Sequence, residues 1–297
     1  MSHIAICCQG GGSHTAFTGG ALGTLLEHAR TLADQVTLTG TSGGAICAAV
    51  AASSPSPRQA LKALWDDIKA EGFTDAVLNT LTLLSTPWIG KVSPYQLPFD
   101  ATTNLKAIIE RHVKQPPQNC LVGACNVLTG EIGVFGRDVP VTTGQILASC
   151  SVPTLFRATE IAGSYYWDGL FSQNPPISPL FDLPEKPDEI WIIRTDPKAR
   201  DSLPTTVEAI DDRARELSYS ISLENELAAI QLINKLLDAA DISGCGYKPV
   251  TVHTIALTRP LSAVSRFDRS APFVDLLFQD GMTAAEEFLR STHPSNL

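Results

Sequence analysis

Apolar residues recur along the chain in two rhythms. Short unbroken runs of β-branched and small residues occupy 3–8 (HIAICC), 36–41 (VTLTGT) and 189–194 (EIWIIR). Such runs are too short for helices and read as strands buried on both faces. Between the first two, Ala21, Leu22, Leu25, Leu26 and Ala29 fall at helical spacing. The same spacing predicts helices over 43–52, 59–70, 105–113, 144–151, 207–240 and 283–290. In the long helix, Leu217, Ile221, Leu227, Ile230, Ile233 and Leu237 form the expected buried stripe. Residues 120–127 and 131–135 read as a strand pair around Leu128-Thr129-Gly130, and 250–257 alternates like a strand. The segment 73–99, with Pro87, Trp88, Pro94 and Pro98, reads as a loop-rich insertion. Strands alternating with helices predict an α/β fold with a mostly parallel sheet covered on both faces. No polar linker divides the 297 residues, so a single domain over 1–297 is expected.

Charge and composition narrow the partners. The net charge is −9, which argues against nucleic acid and gives no attraction to anionic membranes. Peripheral membrane contact would have to come from apolar surface. The N-terminus runs straight into a strand without a basic leader, and no apolar run reaches the ~18 residues of a membrane span. A cytoplasmic protein, at most peripheral to a membrane, is expected. The seven cysteines sit in apolar, small-residue surroundings and read as reduced core thiols. Cys120 and Cys125 lack a matching pair of ligands, so no metal and no cofactor are expected.

The chemistry gathers at three places. Gly40-Thr41-Ser42-Gly43-Gly44 joins the second strand to a helix. Gly-x-Ser-x-Gly at such a junction is the pattern of a nucleophile elbow, and the helix N-terminus favours negative charge beside the serine. A capping serine in a glycine-rich turn fits the same letters. Upstream, Gly10-Gly11-Gly12 in "CCQGGGSHTAFTGGAL" exposes several N–H groups together. These could form an oxyanion hole, a dinucleotide loop or a plain turn. A dinucleotide loop would want glycine in place of Thr15 and an acidic residue within 36–40, and neither is present.

A nucleophilic serine needs a base. Of six histidines, His253 lies in a strand-like run, His293 in a tail, and His28 and His112 on solvated helix faces. Only His14 stands near the glycine loop. Against these is Asp168, in "YYWDGLFSQNPPISPL". Aromatic walls would desolvate its carboxylate and raise its proton affinity, as a base for a hydroxyl requires. A plain Asp-Gly turn is the other reading. Asn174-Pro175-Pro176 reads as a helix N-cap followed by proline at the first position.

The ordered set Gly10-Gly11-Gly12, Gly40-Thr41-Ser42-Gly43-Gly44 and Asp168-Gly169 resembles the bacterial patatin-like phospholipases. The stretch "ASCSVPTLFRATEIAGSYYWDGLFSQNPP" resembles the family's approach to its aspartate. The resemblance runs from about 3 to 260 and leaves a helical extension at about 261–297. It implies a three-layer α/β/α fold and a lipid acyl hydrolase with a Ser–Asp dyad and no catalytic histidine. Carried onto this chain, Ser42 is the nucleophile and Asp168 the base. Gly10, Gly11 and Gly12 form the oxyanion hole, and Gly40, Gly43, Gly44 and Gly169 shape the turns. The chain departs from the family at His14 and Thr15, where a basic residue and glycine are usual, and at Leu170, where Gly or Ala is usual. These three are expected at the pocket rim. Leu78, Leu81, Leu83, Leu84, Trp88, Ile89, Phe99 and the run 272–278 are candidates for an apolar entrance. The expected substrate is a lipid or other carboxylic ester. Acyl transfer by the same dyad, or a binding protein that keeps the fold, are the alternatives.

Overall fold

The computed structural model describes residues 1–85, 92–96, 102–153, 155–239 and 246–293. Among them, one eight-stranded sheet is built from β1 (His3–Cys8), β2 (Gln35–Thr41), β3 (Cys120–Asn126), β4 (Ile132–Phe135), β5 (Thr159–Ile161), β6 (Ser164–Asp168), β7 (Glu189–Arg194) and β8 (Thr251–Ala256). The order is β5-β6-β3-β2-β1-β7-β8, with β4 also paired to β3. The five strands β3, β2, β1, β7 and β8 are mutually parallel, whereas β4, β5 and β6 run antiparallel to their partners.

Side chains alternate across each strand, so β1 feeds both faces. Ile4, Ile6 and Cys8 enter a core shared with α1 (Thr15–Leu32), α2 (Gly43–Ala52), α3 (Pro57–Ile68) and α8 (Ala271–Thr292). Ala5 and Cys7 enter the opposite core with Leu121, Ile190 and Ile192, covered by Leu223 and Ile230 of α7 (Val207–Ala239). This is the three-layer α/β/α arrangement with a mostly parallel sheet. No helix among the described residues is long and apolar enough to cross a membrane. The six described cysteines are buried and unpaired, and Cys245 lies outside the described residues.

Four expectations change. First, α8 begins at Ala271 rather than near 283 and is part of the main core. Val274, Leu277 and Phe278 are buried there, so the run 272–278 is packing and not an entrance. A Cβ on Gly20 would lie 1.9 Å from the Phe278 carbonyl oxygen, and one on Gly281 would lie 2.0 Å from that of Phe17. Only glycine at both positions lets α1 and α8 approach so closely. Second, α7 is unbroken, and the expected stripe holds only in its second half: Ile230 is buried and Leu227, Ile233 and Leu237 are half-buried, whereas Leu217 and Ile221 are exposed and Glu216 and Ser220 are buried instead. Polar anchors set its inner side. Glu216 binds Arg200 and Arg213, and Glu226 accepts from the N–H groups of Ile177 and Ser178. Third, 73–85 forms helix α4 (Phe73–Ser85) instead of loop, with Leu78 exposed and Leu83 half-buried. Trp88, Ile89 and Phe99 lie outside the described residues, as do the side chains of Leu81 and Leu84. Fourth, no helix follows Asn174 directly, and its side chain serves another purpose described below.

Candidate active site

Between the end of β2 at Thr41 and the start of α2 at Gly43, Ser42 adopts φ 56°, ψ −129°. A non-glycine residue holds such a conformation only where its surroundings enforce it. The Ser42 side chain makes no capping hydrogen bond to α2, so capping does not account for this residue. Its backbone N–H donates to Ser149 Oγ at 2.9 Å, and that hydroxyl donates to the Gly123 carbonyl at 2.6 Å. Ser149 lies in α6 (Thr143–Ser149), so a third element pins the turn. Space is the reason for the flanking glycines. A Cβ on Gly44 would lie 2.3 Å from the Cys8 carbonyl oxygen, and one on Gly43 would lie 2.2 Å from Thr15 Oγ1.

The register of the sheet brings Asp168 to this turn. β2 pairs with β3 as far as Thr41 opposite Gly123, and β6 pairs with β3 from Asp168 opposite Ala124. β4 pairs with Val122 to Cys125 and so occupies the far edge of β3. β2 and β6 therefore share one edge and run toward each other, and their C-terminal ends meet at Gly123-Ala124. Ser42 follows one of those ends, and Asp168 is the other. A Cβ on Gly169 would lie 2.5 Å from the Gly123 carbonyl oxygen, so the turn after Asp168 also needs its glycine.

Asp168 is fully buried. Its Oδ1 accepts the Leu170 N–H at 2.9 Å, while Oδ2 has no hydrogen-bond partner among the described residues. Burial lifts its pKa to about 7, against the Leu170 N–H, the Ser42 hydroxyl and Arg266, which all favour the anion. Tyr165 is exposed, and Tyr166 packs edge-on to Phe135. The backbone of Asp168 is held between β3 and the chain after α6, where the Ser151 carbonyl accepts the Asp168 N–H.

The glycine loop follows β1. The Gly10 N–H donates to Asn174 Oδ1 at 2.7 Å, so Gly10 has no donor to offer a ligand, contrary to expectation. A Cβ on Gly10 would lie 2.8 Å from Ser42 Cβ: its role is close approach. Among the described residues, no hydrogen-bond acceptor takes the N–H of Gly11 or Gly12. Gly12 has φ 58° and is exposed. Helix α2 begins alongside, with Gly43 half-buried at its first turn.

His14 and Thr15 lie behind this loop and not at a rim. Both are buried. Thr15 Oγ1 donates to the Gly12 carbonyl at 2.6 Å, and His14 Nε2 meets Ser265 Oγ at 2.8 Å. Burial, then the nearby Arg266 charge, drops the His14 pKa to about 3, so its ring is neutral near pH 7. Leu170 does border the site, half-buried beside the exposed Phe171, whose ring meets Tyr219 edge-on. His253 lies in β8, as its alternation suggested, and His112 bonds Asp67. His293 closes α8 against Trp191 and Phe288, so it is not in a loose tail.

Asn174, Ser149 and Arg266 were not singled out as site residues by sequence pattern. Only Asn174 carried a visible cue, a polar residue before two prolines at a fixed distance from Asp168. Among the described residues, no cluster of ligating side chains suits a metal ion.

A serine in a strained strand-to-helix turn, beside a buried carboxyl and a glycine loop, is an arrangement suited to acyl transfer. A family model described as patatin-like phospholipase matches residues 6–181, more than half of the chain. The protein belongs to the patatin-like phospholipase family, whose members are lipid acyl hydrolases in the general sense. Comparison with the curated proteins finds no match. Among solved structures, VipD from Legionella pneumophila gives a TM-score of 0.45 at 11% identity, covering 98% of this chain and 67% of VipD. The ExoU–SpcU complex from the type III secretion system of Pseudomonas aeruginosa gives 0.37 at 14% identity, covering 96% of this chain and 52% of the other. This chain thus spans about two thirds of one neighbour and half of the other.

Proposed function

We propose that the protein hydrolyses carboxylic esters of lipids through a dyad of Ser42 and Asp168. One observation carries this: a buried carboxyl with an unpartnered oxygen stands where the ends of β2 and β6 meet, beside a serine whose strained backbone serves no capping role. The Asp168 carboxylate accepts the Ser42 proton as Oγ attacks the ester carbonyl carbon. The carbonyl oxygen becomes an oxyanion, met by the N–H groups of Gly11 and Gly12 and by the N-terminal end of α2. Collapse of this intermediate expels the alcohol, which takes the proton from Asp168 and leaves an acyl-enzyme on Ser42. Water then attacks, again giving a proton to Asp168, and release of the fatty acid restores Ser42. Phe171, Tyr219 and Leu170 offer apolar contact for an acyl chain beside the dyad.

The test is Ser42→Ala and Asp168→Asn, assayed on p-nitrophenyl esters of short and long acyl chains and on a phospholipid. Each variant is expected to lose roughly a thousandfold or more in kcat. Rates equal to wild type in both would sink the dyad. Labelling of Ser42 by a fluorophosphonate is expected in the wild type, and its absence would favour a binding protein that keeps the fold.

A further inference from the structure

The glycine loop is not backed by the family-matched part of the chain alone. A short helical turn, Ala263–Phe267, lies against it from far downstream. A Cβ on Gly12 would lie 2.5 Å from the Arg266 carbonyl oxygen, and one on Gly11 would lie 3.2 Å from Arg266 Nη1. Arg266 is mostly buried and fixed on two sides. Its guanidinium is ion-paired with Asp196 and stands 5.6 Å above the centre of the Tyr219 ring. Asp196 is itself anchored: its N–H donates to Gln9 Oε1 at 3.0 Å, as does that of Thr195 at 2.9 Å. Thr195 Oγ1 in turn donates to the Gly10 carbonyl at 2.8 Å. Gln9 precedes the glycine loop, so arginine, aspartate and loop form one continuous scaffold from β1 to β7. Ser265, next to Arg266, holds His14 on the other side of the loop.

We propose that Arg266 is the positioning residue of the oxyanion loop, holding Gly11 and Gly12 in place and setting a positive charge behind their donors. The role rests on the hydrolase reading of Ser42 and Asp168. Its physical basis is simple. The N–H groups of Gly11 and Gly12 can stabilise an oxyanion only if the loop does not reorganise as charge develops. Gly11 and Gly12 have little intrinsic rigidity, and Gly12 is at positive φ. A guanidinium locked by a buried carboxylate and an aromatic face supplies rigidity from outside. Its field also reaches the dyad, since Arg266 lowers the proton affinity of both Asp168 and His14. Neutral His14 contributes no charge of its own. Asp168 is faced by Ser42 from the β2–α2 turn, by the Leu170 N–H, by Arg266 and by Cys150 after α6. Burial keeps the Cys150 thiol protonated, so among these side chains Arg266 alone brings a charge.

The experiment compares Arg266→Met and Arg266→Lys with wild type, in kcat, KM and the pH profile of kcat/KM, on one ester. Arg266→Met is expected to lower kcat roughly 10- to 100-fold with KM within about threefold, because the loop acts in the transition state. Its acid limb is expected to move to higher pH, since a charge that favoured the Asp168 anion is gone. Arg266→Lys, keeping the charge but not the planar fork, is expected to hold the limb at its wild-type position with an intermediate kcat. The limb position does not depend on the fraction of protein folded, and Arg266→Gln serves if the Met variant melts below assay temperature. An unchanged kcat in Arg266→Met overturns the role, and so does a lowered kcat with an unmoved limb, the mark of a merely structural brace. If Ser42→Ala is inactive while the Arg266 variants behave as wild type, only this role falls. If Ser42→Ala is active, the dyad falls with it.

Discussion

Two carboxylates sit at the ends of strands in this protein, both shut off from water, and they are treated in opposite ways. Asp196, just after β7, is given an arginine. Asp168, ending β6, has no ion pair among the described residues, and in each of the two carboxylates one oxygen has no hydrogen-bond partner there. Burial raises the proton affinity of both. At Asp196 the pair with Arg266 opposes that effect and makes the residue a fixed part of the scaffold. At Asp168 the opposing influences are weaker, a single N–H, a hydroxyl and the field of Arg266 acting at a distance without an ion pair, and the group remains able to gain and lose a proton near neutrality. A buried carboxylate held in an ion pair is structural material. One whose charge is left expensive is a base, and the two lie on either side of the same glycine loop.

This contrast can be broken by experiment. The largest effect is in turnover. Asp168→Asn is expected to cost roughly a thousandfold in kcat, and Asp196→Asn only about tenfold, through a loosened Arg266. Equal losses would erase the distinction. For the wild type, kcat/KM should rise with pH through an acid limb near 7, following ionisation of Asp168 in the free enzyme. A limb below pH 5 would mean that some other group is the base.

Stability gives the next effect, with opposite signs. Asp196→Asn leaves a guanidinium without its partner and is expected to cost about 2–4 kcal/mol, below the full value for a wholly buried pair because Arg266 is partly exposed. Asp168 has a folded-state pKa raised to about 7, above its ordinary carboxylate value. The folded protein therefore binds the proton more tightly than the unfolded chain, and this contribution to stability disappears as pH rises through about 7. Asp168→Asn should gain more stability relative to wild type at pH 8 than at pH 5, because the wild-type loss builds up between about pH 4 and pH 7 to on the order of 4 kcal/mol at most. A gain that is independent of pH would mean that Asp168 is not ionising in the folded state. The smallest effect belongs to His14. His14→Ala is expected to lower kcat less than about tenfold, through the Ser265 contact. A loss matching that of Ser42→Ala would revive a histidine base.

The central part of this site was legible because it is built from local rules. Gly40, Ser42, Gly43 and Gly44 mark a tight strand-to-helix turn whose glycines are demanded by contacts within a few ångströms. The strands around it declared themselves as unbroken apolar runs. What stayed hidden is made by contacts between segments far apart in the chain. Nothing in "QNPP" says that Asn174 will consume the Gly10 N–H, and nothing near Arg266 says that it will back that loop. The α7 helix misled for a related reason: Glu216 and Glu226 anchor its inner side by polar contacts, so Leu217 and Ile221 were left facing water. The run 272–278 looked like a surface patch because its partners, Phe17, Gly20 and Ala21, lie some 250 residues earlier and could not be seen from the run itself.

The end-to-end meeting of β2 and β6 along β3 makes the spacing between nucleophile and base a stepwise quantity. Successive residues of a strand point to opposite faces, so sliding β6 by one position would bring Trp167 or Gly169 to the place of Asp168 with its direction reversed. Sliding it by two would restore the direction but displace the carboxyl by about 7 Å, well out of reach of Ser42. No gradual series of spacings connects these states. The turns that lead into the hairpin can therefore change in length over evolutionary time at little cost. The five residues Ser164–Asp168 cannot gain or lose one without ending the partnership, and a deletion scan through 155–168 would show activity stop abruptly at that border.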